Sequence, residues 1–190
     1  MELESDMWSF SHGIVKTAAG SAYIESKTHK VLCTVSSPGE FSELGSSEES
    51  QRHAQAHLSI TSPHSLHVRS ALSSVILLER YPKSLIEVKV QVISGDEATA
   101  LVYIINAASL AVIDSGIEIK DTLIAVNSGI HDGKIIIGMN DLVVGVLVNL
   151  DEIVMVSQQG VYEEQQINAL FHACIDTAKQ VFIVVKNNFE

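Results

Sequence analysis

Two carboxylates stand in this sequence at a position that would suit an anion-binding site. The segment "VQVISGDEATALVYIINAASLAVIDSGI", residues 90–117, predicts a strand that passes through a tight turn into a helix. The N-terminus of a helix presents free N–H groups and partial positive charge, which suits phosphate. Here the turn carries Asp96 and Glu97, and acids in a first helical turn stabilise the helix by about 0.3–1 kcal/mol each. The residues therefore predict a turn capped by its own negative charge.

Two pairs of histidines have spacings that could place both imidazoles on one metal ion. His53 and His57 are four residues apart, and His64 and His67 are three apart. A structural zinc ion needs four ligands, and no third ligand is suitably spaced beside either pair. The pairs are therefore interpreted as solvated or interface histidines, and no metal or other cofactor is predicted.

The remaining nucleophilic groups do not form a catalytic motif. Serine, histidine and aspartate are all present, but the sequence lacks the G-x-S-x-G turn of many hydrolases. Cys33 and Cys174 are the only cysteines, and both lie among apolar residues, which is typical of buried, reduced thiols. Neither a hydrolase triad nor a disulfide is predicted.

The composition is aliphatic and acidic. Hydrophobic residues make up 46% of the 190 residues and aromatic residues only 5%, so we expect an aliphatic core in a single domain over residues 1–190. Twelve basic residues against 23 acidic ones give a net charge of −11. A free-standing nucleic-acid-binding domain is usually basic, so this class is disfavoured. No apolar stretch reaches the length of about 18 residues that a membrane span needs, and the acidic start argues against a signal peptide.

The first half of the chain predicts strands that surround one helix. Residues 21–25 and 31–35 are expected to form a hairpin, and residues 56–61 a further strand. The polar segment 42–54 is expected to be a mobile loop. A helix should follow, capped by Thr61 or Ser62 with Pro63 in its first position.

The second half predicts strands and two long helices. Residues 84–94 alternate as a strand, and residues 96–115 form a helix that is apolar almost all round. Such a helix is buried on more than one side, by its own domain alone or in part by a partner subunit. Four strand-like runs and an amphipathic helix from Tyr162 complete the chain. This order predicts an α+β fold in which helices are layered on mixed sheets.

Several ordered segments resemble the RNase PH fold as it is used in the RNA exosome ring. They are "AAGSAYIESKTHKVLCTVSSPGE", "VRSALSSVILLERYPKSLIEVKVQVISGD", "NAASLAVIDSGIEIKDTLIAVNSGIHDGK" and the C-terminal helix. The resemblance covers nearly the whole chain. It implies an RNase PH-type fold of the ribosomal protein S5 domain 2-like class, paired with a sister domain in a six-membered ring. In such enzymes phosphate attacks the last phosphodiester of an RNA 3′ end, assisted by cations and a metal.

The functional positions of that family are degenerate in this sequence. The family's phosphate-binding Gly-Thr-Arg corresponds to Thr99, Ala100 and Leu101, so leucine replaces the arginine. Loss of a charge-assisted contact weakens binding by roughly 1.5–3 kcal/mol. The metal-binding carboxylates correspond to Gly138 and Val144.

The number of basic residues available for contact with RNA is also reduced. The family's arginine-rich segment is replaced by "ELGSSEESQRHA", in which Arg52 is the one arginine. Arg52 and Arg69 are the candidates for RNA contact. Asp141 is the only acid between the two degenerate metal positions, and its spacing differs from the family's.

The resemblance, read with these departures, implies a non-catalytic exosome ring subunit of the mRNA-transport-regulator type. It would pair with other RNase PH-like ring subunits, dock cap subunits of the S1/KH type, and line a channel for RNA. The expected location is the nucleus, the nucleolus and the cytoplasm. The alternative is a phosphorolytic 3′-to-5′ exoribonuclease whose active site is completed by a partner subunit, or by Asp141 and Asp132.

Overall fold

The computed structural model describes residues 8–40 and 56–189, with two β-sheets and three α-helices in that part of the chain. The predicted mobile loop at 42–54, with Arg52 and His53, lies outside the described residues. None of the described helices is long and apolar enough to cross a membrane.

The first sheet is mixed and is organised around one long strand. Its members are β1 (Ser9–His12), β2 (Gly20–Glu25), β3 (Lys30–Val35), β4 (Gly39–Glu40), β5 (His57–Thr61) and β6 (Ser84–Ser94). The predicted hairpin is β2 and β3, and it continues antiparallel from β3 to β6. β5 runs parallel to β6, and it pairs from the opposite side to β3 and β4, because Leu85 and Val88 each have a partner on both sides.

The second sheet is antiparallel in the order β10-β9-β7-β8. Its strands are β7 (Leu123–His131), β8 (Lys134–Ile137), β9 (Leu142–Leu147) and β10 (Glu152–Gln158). β9 is buried along its whole length, and β7 is buried from Leu123 to Gly129. Such continuous burial requires cover on both faces, which explains why β9 and the first four residues of β7 are apolar without alternation.

The helices supply that cover. α2 (Leu101–Asp114) packs against β2 and β3 on one side and against β7 on the other, and α3 (Glu164–Phe189) packs on β7 as well. α1 (Ser65–Val75) lies beside α2, β5 and β10. The prediction of an α+β fold with helices layered on mixed sheets is confirmed.

The sandwiched position of α2 explains its sequence. Eleven of its 14 residues are buried, so the chain itself covers almost the entire helix. Burial within the chain itself therefore accounts for the apolar character of this helix, as the first of the two alternatives expects.

The start of α1 also differs from the prediction. The helix begins at Ser65 and not at Pro63, and its N-cap is His64 in the left-handed conformation with φ 56°. Neither Thr61 nor Ser62 caps it; the Ser62 hydroxyl donates to the Pro63 carbonyl instead. The imidazole of His64 is engaged with the segment before α2, which favours this late start.

Candidate functional site

The corner between β6 and α2 is the site that the sequence singled out. β6 ends at Ser94, Gly95 turns with φ 109°, and a short 3₁₀ turn, Glu97–Thr99, leads into α2. The Asp96 carboxylate accepts the N–H of Ala98 at 3.3 Å. Asp96 therefore caps the 3₁₀ turn with its own carboxylate, as predicted. The predicted helix start at residue 96 is wrong, because α2 begins at Leu101 with Ala100 as its N-cap and has no acid in its first turn.

A histidine from the β2–β3 hairpin closes this corner from one side. His29 is only 6% exposed, and its Nε2 lies 3.1 Å from the Asp96 carbonyl oxygen and 3.0 Å from the Thr99 hydroxyl. Because a carbonyl can only accept, Nε2 carries the proton, and in the neutral ring Nδ1 accepts from the Thr28 hydroxyl at 2.7 Å. The His29 ring also stacks on Tyr103 of α2, with ring centroids 4.7 Å apart.

A second histidine closes the corner from the side of α1. Nε2 of His64 lies 2.8 Å from the carbonyl oxygen of Glu97. Two successive carbonyl groups before α2, those of Asp96 and Glu97, are thus bound by imidazoles from two different elements. His64 also packs edge-on against His67, with ring centroids 6.1 Å apart. The corner is consequently held by hydrogen bonds within the chain.

The three degenerate phosphate-site residues lie at this corner. Thr99 is half-buried and its hydroxyl is used by His29 and by the Asp96 carbonyl. Ala100 is fully buried and Leu101 is 5% exposed, within the hydrophobic core. A side chain at 101 therefore faces aliphatic neighbours, and it offers no group to an anion.

The two degenerate metal-site positions have different surroundings. Gly138 follows β8 and lines a cavity of about 50 Å³ together with Trp8, Val102, Tyr103, Ala125, Val126, Asn127 and Val181. Val144 is fully buried in the middle of β9, where it pairs with Val126 and Val156. Position 138 is thus near the first turn of α2, whereas position 144 is a core position.

The carboxylates of Asp141 and Asp132 lie near other side chains and do not form a metal site together. Oδ2 of Asp141 accepts the Tyr162 hydroxyl at 3.1 Å, and burial together with Asp141 raises the pKa of Tyr162. Asp132 is in the β7–β8 turn with its side chain 89% exposed, 3.5 Å from His131. Across residues 8–40 and 56–189, no three His, Cys, Asp or Glu side chains converge as a metal site would require.

Of the two RNA-contact candidates, the structure describes Arg69. Its guanidinium Nη1 donates to the Leu58 carbonyl, which ties α1 to β5. Arg52 lies outside the described residues.

Sequence reasoning missed two polar side chains that organise α2. His29 is missed because a lone histidine in a predicted hairpin carries little local signal. Asn106 is 1% exposed within α2, and its amide bonds both backbone groups of Ala125, at 2.9 Å to the carbonyl and 2.8 Å to the N–H. A buried amide in an apolar helix was the one signal that could have revealed it.

Comparisons with known proteins agree with this architecture. Residues 7–118 match the 3′ exoribonuclease family, domain 1, of RNase PH type. The exosome complex component Rrp41 of Pyrobaculum arsenaticum is 30% identical over 129 residues, covering 63% of this chain and 52% of that protein. Rrp41 of Thermococcus gammatolerans is 27% identical over 199 residues, covering 90% of this chain and 78% of that protein. The chain thus spans about half the length of the Pyrobaculum relative.

Solved structures share the fold over nearly the whole chain. Rice (Oryza sativa) Rrp46 superposes with a TM-score of 0.80 at 19% identity, covering 96% of this chain and 94% of the rice protein. A chain of an archaeal exosome core gives a TM-score of 0.70 at 14% identity, covering 93% of this chain and 86% of that chain. With the two layered sheets and the family match over residues 7–118, these likenesses show that the chain belongs to the 3′ exoribonuclease family and has the RNase PH fold.

Proposed function

We propose that this chain is a non-catalytic, RNase PH-like subunit of an RNA exosome core ring. Its 190 residues would act as a single domain that supports 3′-to-5′ RNA processing and degradation by forming part of the channel. The similarity to Rrp41 proteins and to the rice Rrp46 and archaeal exosome structures supports membership of such a ring. The nuclease activity would lie in other subunits.

The observation that carries the non-catalytic part is the closed corner before α2. Asp96 caps the turn, His29 and His64 bind its carbonyl groups, and Leu101 is buried in the core. Phosphorolysis needs cationic groups that bring an attacking phosphate to a phosphodiester, since the two anions repel each other. None of the corner residues described above supplies a positive side chain to that place.

The proposed partners are proteins first and RNA second. Other RNase PH-like subunits would complete the ring, and cap subunits of the S1/KH type would dock on it, with RNA passing through the centre. A net charge of −11 favours association with proteins over phosphates. The nucleus, the nucleolus and the cytoplasm are the proposed locations.

One observation favours a second candidate, a phosphorolytic 3′-to-5′ exoribonuclease completed by a partner. Gly138, at a position that corresponds to a family metal ligand, lines the same cavity as Val102 and Tyr103 of α2. Asp141 follows three residues later and could turn towards a metal if Tyr162 released it. A partner would then have to supply the missing cations.

Reconstitution tests the ring. The full chain, alone and mixed with the other RNase PH-like subunits from the same cell, would be analysed by sedimentation velocity and native mass spectrometry. The proposal expects a hetero-oligomeric ring that contains this chain at fixed stoichiometry. A stable homohexamer of this chain, which does not exchange with the other subunits, would contradict it. Incubation of either assembly with RNA, phosphate and magnesium tests catalysis separately.

A further inference from the structure

A second concave site lies on the outer face of the first sheet. Along β6, Val88 and Val90 point into the core, so Glu87 and Lys89 point to the opposite face. There they line a cavity of about 200 Å³, four times the volume of the cavity beside Gly138. Val15, Thr17, Ala18, Thr34 and Ser36 also line it.

Backbone hydrogen bonds fix the walls of this cavity. The loop between β1 and β2 is held over the end of β3 by the Ala19 N–H, which donates to the Val35 carbonyl at 3.0 Å. At the floor, Ser36 and Glu87 bind each other twice: the Ser36 N–H donates to the Glu87 carbonyl, and the Glu87 N–H donates to the Ser36 hydroxyl, both at 3.0 Å. The cavity is therefore preformed, which limits the cost of ordering on ligand binding.

Several polar groups in the cavity are available to a ligand. Within the described part of the chain, the hydroxyls of Thr17 and Thr34 make no hydrogen bond to protein. The Ser36 oxygen accepts from a backbone N–H, which leaves its own hydrogen to donate.

The two charged groups are also only weakly engaged. The Lys89 ammonium and the Glu87 carboxylate are 3.7 Å apart, with side chains 58% and 41% exposed. Such a long, exposed ion pair contributes little, so a ligand could separate it at small cost.

The pairing of these groups defines the chemistry that would fit. A carboxylate accepts two hydrogen bonds from a vicinal diol, as acidic residues do with ribose hydroxyls in nucleotide sites. An ammonium and hydroxyl donors suit a phosphate. A simple anion would meet repulsion from Glu87, and a metal cation would meet repulsion from Lys89.

We propose that this cavity binds a ribose phosphate, with the Glu87 carboxylate accepting from the vicinal hydroxyls and the Lys89 ammonium donating to the phosphate. Thr17, Thr34 and Ser36 would donate further hydrogen bonds, and Val15 and Ala18 would cover the carbon face of the sugar. This chemistry occurs in free 5′-nucleotides and at the 3′-terminal nucleotide of RNA. The proposal does not rest on the ring function, because the cavity shares no residue with the corner before α2.

The test is a titration of the full 190-residue chain with ribose 5-phosphate, followed by NMR. Glu87→Gln and Lys89→Gln should each weaken binding about tenfold, as loss of one charge-assisted hydrogen bond predicts. Glu152→Gln on β10 and Lys134→Gln on β8 are matched controls on exposed strand positions of the other sheet, and they should bind as the wild type does. Thr17→Val, in the loop, is an additional variant that does not disturb a strand, and it should bind a few-fold more weakly.

Two comparisons of ligands complete the test. 2-Deoxyribose 5-phosphate should bind about tenfold more weakly than ribose 5-phosphate, because it lacks the diol. Adenosine 5′-monophosphate, an RNA oligomer, and the same oligomer ending in a 2′,3′-dideoxynucleotide distinguish the two sources. Tighter binding of the ribose-ended oligomer than of the dideoxy form identifies RNA ends, and tight binding of the mononucleotide alone identifies free nucleotides. Equal binding of the ribose and deoxyribose phosphates, or wild-type binding by both charge variants, would overturn the proposal.

Discussion

Nε2 of His29 lies 3.0 Å from the hydroxyl oxygen of Thr99, at the position where the family's phosphate-binding residues are expected to begin. The imidazole reaches this point from the hairpin between β2 and β3, 70 residues away in the sequence. It binds the Asp96 carbonyl with the same nitrogen and stacks on Tyr103 with its ring. A donor from the chain itself thus lies against the turn before α2, and this contact accounts for the closed form of the corner.

Replacing His29 with alanine should destabilise the fold by about 2–3 kcal/mol. The variant loses a buried hydrogen bond, worth about 1 kcal/mol, and a stacked ring pair, worth about 0.5–1.5 kcal/mol, and it leaves space beside Tyr103. Urea unfolding followed by circular dichroism measures the change. His131→Ala, at a side chain that is 68% exposed, is the control and should change the free energy of unfolding by less than about 0.5 kcal/mol. Equal stabilities of the two variants would show that His29 does not hold the corner.

Gly95 should be far less tolerant of alanine than Gly133 is. A Cβ at Gly95 would lie 2.5 Å from Cδ2 of His29 and 2.7 Å from the Thr28 carbonyl oxygen, whereas a Cβ at Gly133 meets nothing within 4 Å. Both residues have positive φ, so both variants carry backbone strain of about 1 kcal/mol. The collision should cost Gly95→Ala about 2 kcal/mol beyond Gly133→Ala. Thermal unfolding compares the two, and equal losses of stability would contradict the tight packing of Gly95 on His29.

Restoring the family's arginine at position 101 should not restore a phosphate site. Leu101 is 5% exposed in the core, so Leu101→Arg would bury an unpaired cation at a cost of about 3 kcal/mol or more. Leu101→Met, which conserves volume, should cost less than about 1.5 kcal/mol. Urea unfolding and phosphate titration by calorimetry check both variants. A Leu101→Arg protein of native stability that binds phosphate would mean that the corner has kept its anion-binding geometry.

Stability should fall above pH 9 because of Cys33. Complete burial raises the pKa of the Cys33 thiol above its ordinary value of 9.0. Above pH 9 the unfolded chain loses this proton while the folded chain keeps it, so the free energy of unfolding declines as pH rises, by roughly 1 kcal/mol per pH unit. Below pH 9 the contribution is fully present.

Cys33→Ala isolates this effect. Urea unfolding at pH 8, 9 and 10 should show a shallower decline for the variant than for the wild type, even though the variant is less stable at pH 8. Burial raises the pKa of Cys174 too, so the variant keeps part of the slope. Identical slopes for the two proteins would contradict the assignment to Cys33.

Patterns within one segment were sufficient to predict most elements. The alternation of residues 84–94 matches β6, Ser84–Ser94, and the hairpin at 21–35 matches β2 and β3. The all-round apolar character of residues 96–115 predicted a helix buried on more than one side, and α2 does lie between the two sheets. These features are encoded by nearest neighbours along the chain, and so periodicity reveals them.

Contacts between distant segments could not be predicted from the sequence. The start of α1 at Ser65 depends on His64 binding the Glu97 carbonyl, 33 residues further along. The engagement of Arg69 with the Leu58 carbonyl depends on how α1 lies across β5. The cavity at Glu87 and Lys89 arises only when the β1–β2 loop lies over the end of β3. Each depends on tertiary packing, which overrides local preference.

The most direct measurement of the central claim is phosphorolysis by this chain in its ring. The reconstituted ring, with any catalytic subunit inactivated, would be incubated with an RNA oligomer, inorganic phosphate and magnesium, and nucleoside diphosphates would be quantified. Rings that carry Asp141→Asn in this chain serve as the matched comparison. The account predicts no nucleoside diphosphate above background from either ring. Release of nucleoside diphosphate by the ring with the wild-type chain, lost on Asp141→Asn, would contradict it and would establish the exoribonuclease alternative.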